Sequence, residues 1–217
     1  MGLDCLPLGK PKEGREAEFD ALFKELVWST RPNPSLWDRF ARITISPYET
    51  LKAPRVGTDA EADRWALQGY LERPQRLSSM SQDEWMKEFH GYYVLDLVPR
   101  NDGIPVYTAG GFGSYFDSFS FRGQLLNDCR DVLGKLVDEA WGHQKAVELV
   151  DYGARLHRRV VTFAEKQGMA EILGQEDRPD WLDDDFDHPA SKIHIVDSAA
   201  RWCRYWGERG HGMIADF

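Results

Sequence analysis

The sequence predicts an α+β fold that is mostly helical: three long amphipathic helices in the C-terminal half, packed with a small antiparallel sheet and short N-terminal helices. Two observations carry that expectation. Nine of the eleven prolines stand at or before Pro105, which breaks the first half into short elements and leaves the second half free for long ones. Apolar residues then recur at helical spacing in three long stretches of the second half.

In the first half, Arg15 to Ser29 places Phe19, Leu22, Phe23, Leu26 and Val27 on one helical face. RPNPS (31–35) interrupts it. Thr58 with Glu61, and Ser81 with Glu84, have the Ser/Thr-x-x-Glu spacing of capping boxes and start two further helices. Tyr92 to Val98 is rich in β-formers and ends at Pro99, so it is expected as a strand. The turn NDG (101–103) would return it through Ile104 to Thr108, with Pro105 marking an edge. The opening GLDCLPL is expected as a third strand.

In the second half, Ser120 to Trp141 carries Leu125, Cys129, Val132, Leu133, Leu136 and Ala140 on one face. Gln144 to Gln167 does the same with Val147, Val150, Ala154, Val161 and Ala164, placing His157 on the apolar side. Ala190 to Glu208 does so with Val196, Ala199, Ala200, Cys203 and Trp206, which assigns His194, Asp197, Arg201 and Arg204 to an exposed face. Asp185, Asp187 or Ser191 is expected to cap this last helix, with Pro189 near its first turn.

A chain of 217 residues is expected to form a single globular domain, 1–217, large enough to bury a core without a staple. No stretch is long and apolar enough for a membrane span, and the N-terminus lacks the pattern of a signal peptide. Gly2 does not open a myristoylation motif, because Leu6 stands where Ser or Thr is required. Cys5, Cys129 and Cys203 are odd in number and widely spaced, which suits a reducing cytoplasm. The net charge of −9 argues against a general nucleic-acid binder and leaves open a basic protein partner.

Chemistry-bearing residues cluster in two places. YTAGGFGSYFDSFSFRGQLL (107–126) sets glycines and rings between strand-like and helix-like segments. It completes neither GxxxxGK[ST] nor GxGxxG, so phosphate cradling is not indicated. Arg122 is expected to begin the apolar helix face and to pair, at least half buried, with Asp117 beside Tyr115. Such a polar spot in an aromatic hollow suits a ligand site, and a structural clamp accounts for the same residues. His211, bracketed by glycines, is the candidate general base.

The second cluster, WLDDDFDHPASKIH (181–194), gathers Asp183, Asp184, Asp185, Asp187, His188 and His194. It fails the calcium-loop pattern, since His188 and His194 stand where Gly and Glu belong. A solvated loop, dispensable for folding and facing Arg155, Arg158 and Arg159, explains it better than a metal site. No cofactor is expected, nor any HExxH or GxSxG chemistry.

These observations favour a cytoplasmic, non-catalytic protein-binding domain of the immunity-protein or antitoxin type. Trp37, Trp65, Trp85 and Trp181 are candidate interface anchors, with core packing as the competing explanation. The alternative is a small hydrolase or transferase using a pocket around Asp117, Arg122 and His211.

Overall fold

The computed structural model describes residues 2–28, 34–72, 80–108, 118–179 and 186–217. The backbone divides into two compact units, residues 1–47 with 101–217, and residues 48–100. The protein is α+β and mostly helical, as the sequence predicts. Among the described residues no helix is long and apolar enough to cross a membrane.

In the larger unit, β1 (Asp4–Pro7) pairs antiparallel with β4 (Met213–Asp216), Cys5 opposite Ala215. The expected N-terminal strand therefore exists. Single bridges widen the ribbon on both sides, Cys5 to Phe121 and Gln144 to Met213. A second pair joins β2 (Lys10–Pro11) to β3 (Thr44–Ile45). Between these strands α1 (Glu16–Trp28) and α2 (Pro34–Ile43) pack face to face. Phe19, Leu22, Phe23 and Leu26 of α1 meet Leu36, Phe40 and Ile43 of α2 in one buried cluster.

The expected helix over Ser120–Trp141 is broken. It becomes α6 (Gln124–Asp128), α7 (Arg130–Leu133) and a 3-10 turn over Gly134–Trp141. The helix is first interrupted at Cys129, at φ −98 and ψ 19, and α7 ends at Gly134, which at φ 60 and ψ −133 adopts a backbone that no helix interior tolerates. The apolar face survives in part: Cys129, Val132, Leu133 and Ala140 are buried as expected, while Leu126 and Val137 are buried in place of Leu125 and Leu136, which are half-buried.

The other two long helices form as expected, α8 (Ala146–Gln167) and α9 (Pro189–Glu208). Gly168, left-handed at φ 67, caps α8. The two helices run antiparallel and close together. A Cβ at Gly153 of α8 would lie 2.9 Å from the Cys203 Cβ and 3.0 Å from the Ala200 oxygen of α9.

Both helices correct the predicted faces. The buried stripe of α8 is Leu149, Tyr152, Gly153, Leu156, Val160 and Ala164, rotated from the expected one, so Val147 and His157 face solvent. Helix α9 is buried on nearly all sides, and Lys192, His194, Asp197 and Arg201 turn inward to meet partners, while Arg204 is exposed as expected. His194 is buried rather than exposed, and its Nδ1 lies 2.9 Å from the Tyr107 hydroxyl. Lys192 reaches Asp131 of α7 at 3.0 Å. The α9 cap is His188, whose Nδ1 accepts from the Ala190 amide, in place of the expected aspartates or Ser191; Pro189 does occupy the first turn.

The smaller unit begins within α3 (Pro47–Thr50) and contains α4 (Ala60–Glu72) and α5 (Gln82–Phe89). The Ser81–Glu84 capping box forms in full. Helix α4 starts one residue later than its expected box allows: Asp59 accepts from the Arg55 amide, and Asp63 accepts from the Gly57 amide. The expected strand at Tyr92–Val98 reduces to one bridge, Tyr93 to Arg55, followed by a 3-10 turn at Leu95–Leu97. Its neighbouring segment contains Pro54, which accepts from Val94 yet has no amide to return. The chain turns at Asp102–Gly103, but Ile104 to Thr108 forms bends and no strand, so the predicted hairpin is absent.

Candidate binding trough

Of the expected site residues, the structure describes Arg122 and His211. Tyr115 and Asp117 lie outside the described residues, as do Trp181 and Asp183 to Asp185. Arg122 is exposed, contrary to the expectation of half burial. The bridge from Phe121 to Cys5 holds the chain extended, and α6 begins only at Gln124, so Arg122 precedes the helix rather than facing its core. Its amide donates to the Tyr107 carbonyl at 2.7 Å, and no described carboxylate pairs with its guanidinium.

His211 is fully buried. Its ring stands edge-on to Trp206 at 5.0 Å, and Nδ1–H donates to the Leu8 carbonyl at 2.9 Å. Burial pushes its pKa down to about 4 against the opposing Leu8 bond, with help from Lys10 and Arg209. The unfolded chain therefore binds this proton near pH 6.5 and the folded chain only near 4. The stabilisation is complete above about 6.5 and is lost as pH falls towards 4, on the order of 3 kcal/mol. Urea melts across that window should show this decline, and His211→Gln should flatten it. An unchanged slope in the variant would contradict the assignment.

The other reactive groups are also held inside. Cys5, Cys129 and Cys203 are free and buried. Burial pushes the Cys5 and Cys129 thiols up to about 12 and the Cys203 thiol well above its ordinary value, so all three stay protonated. Trp65 and Trp85 are half-buried within the smaller unit: Trp65 packs against its apolar cluster and donates to Asp96, and Trp85 packs against Phe89 and donates to the Ala66 carbonyl. Trp37 is exposed and packs against Phe40, and Trp28, which sequence reasoning passed over, is 86 % exposed.

A surface feature emerges where the 3-10 turn of Gly134–Trp141 meets α8. Two concavities of about 510 Å³ each share Glu139 and Arg155 and so form one trough. Arg155 is its saddle. Its two terminal nitrogens meet the two Glu139 oxygens at 2.6 Å, and Nε meets Asp151 at 2.7 Å. The hydrogen bonds that Arg155 donates to Glu139 and Asp151 raise its pKa further. This fork occupies the arginine expected to face the acidic loop.

At one end the trough is walled by His143, Val147 and Glu148, and at the other by Lys135, Arg158, Arg159 and Thr162. The His143 Nδ1 accepts from the Ala215 amide, and burial lowers its pKa, so it stays neutral at pH 7. Sequence reasoning missed His143, which stands in the short link between the 3-10 turn and α8. Among the described residues no three metal-ligating side chains gather. Comparison with protein families, curated proteins and solved structures finds no match to this chain.

Proposed function

We propose that the protein is a cytoplasmic, non-catalytic binding domain that recognises another protein through the trough along α8, a role of the immunity-protein or antitoxin kind. The shape of the trough supports this reading. From Val147 to Thr162 it follows about 22 Å of helix, the span of a partner's segment rather than of a small molecule. Val147, 74 % exposed, offers an apolar contact among charged walls, the mixture of a protein-recognition surface. The buried, protonated thiols and the core position of His211 fit a scaffold whose polar chemistry serves folding.

The test is affinity capture from the native cell with the wild type and with Val147→Asp, after circular dichroism has shown both folded. The expected result is one stoichiometric protein held by the wild type and lost from the variant. Equal capture by both proteins would contradict the trough as the binding surface.

A further inference from the structure

The trough is electrostatically lopsided in a way the net charge conceals. The chain has 36 acids and 27 bases, so an exposed cation has many carboxylates to choose from. Its neighbours choose them: Arg130 pairs with Asp138, Arg204 with Glu208, and Arg155 with both Glu139 and Asp151. Lys135, Arg158 and Arg159 are exposed, line one end of the trough together, and pair with no described carboxylate. The acid in the described lining of that end, Glu139, is already neutralised by the Arg155 fork.

Resting on the reading of the trough as a protein-binding surface, we infer that this end receives an acidic segment of the partner, its carboxylates meeting Lys135, Arg158 and Arg159. At physiological salt, charges beyond about 8 Å are largely screened, so the local cluster outweighs the distant negative surface. Arginine's planar fork suits bidentate contact with a carboxylate. The partner chemistry is thus opposite to the basic one that net charge leaves open. A nucleic acid fits less well. The described lining of that end carries no ring on which a base stacks; the trough's His143 stands at the other end, where a continuing polyanion would run onto Glu148 and Asp151.

The experiment measures fluorescence anisotropy of a labelled poly-glutamate peptide at low salt against the full chain. The wild type is expected to bind, and Arg158→Glu with Arg159→Glu to weaken binding at least about tenfold. Arg64→Glu with Lys87→Glu, an equal charge change on the smaller unit, is the control and is expected to change affinity less than about twofold. Absence of peptide binding, an equal loss in the control, or tighter binding of a single-stranded oligonucleotide would each overturn the inference. Captured partner separates this outcome from failure of the underlying reading. Loss with Val147→Asp but retention with the arginine double variant sinks only the acidic segment. Retention with both variants sinks the trough itself.

Discussion

Asp197→Ala is expected to lose about 3–5 kcal/mol of stability, towards the lower figure because its main partner is partly exposed. Asp197 sits in the middle of α9 with its side chain 3 % exposed. One oxygen accepts from the Gly174 amide at 2.9 Å and from Arg201 Nε at 3.2 Å, and the other lies 3.4 Å from His157 Nδ1. Arg201 also holds Asp102 and the Gln175 carbonyl. The carboxylate therefore ties the 101–103 turn and the 170–175 loop to the central helix. Truncation leaves the Arg201 charge with one anion fewer and the Gly174 amide without its acceptor. Asp197→Asn keeps an acceptor for Gly174 and should fall between the two. Urea melts decide this, and a loss below about 1 kcal/mol in Asp197→Ala would show that the network contributes little.

Trp202→Ala should cost a similar amount, about 3–5 kcal/mol, by a different route. The indole is 1 % exposed, lies 6.3 Å from the Phe121 ring, and donates from Nε1 to the Phe119 carbonyl at 2.7 Å. It therefore pins the segment leading into α6 against α9. Alanine removes most of a large side chain from a packed interior and also removes the donor. Trp202→Phe keeps much of the volume and loses only the bond, so its cost should be nearer 1–2 kcal/mol. Equal losses in the two variants would mean that the hydrogen bond, and not the packing, dominates.

The elements legible in the sequence were those with local signatures. The α1 stripe, the Ser81–Glu84 box, and the starts and ends of α8 and α9 follow from spacing and caps within a few residues. Long-range pairing left no such mark. β1 finds its partner at the opposite end of the sequence, and the strand-like run at Tyr92 meets a segment with a proline in it. The polar residues of α9 misled for a physical reason. A helix with Lys192, His194, Asp197 and Arg201 reads as half solvated, yet each of these side chains has a partner on a surrounding element. Burying them is tolerable because each is bonded.

The same logic explains the site. Arg122 looked inward because a helix was assumed to include it, and Gly123 with Gln124 starts that helix too late. Arg155, Arg158 and Arg159 were legible as one polar face, but which of them was already paired depended on Glu139 across a broken helix. His143 and Val147 joined the trough only through the turn that Gly134 permits.

The central claim is that the protein works through the trough along α8, and amide hydrogen exchange on the captured complex tests it most directly. Binding there predicts slowed exchange across residues 135–162 relative to the free chain, with the smaller unit, residues 48–100, unchanged. Protection confined to residues 48–100, with 135–162 exchanging as in the free chain, would contradict the account.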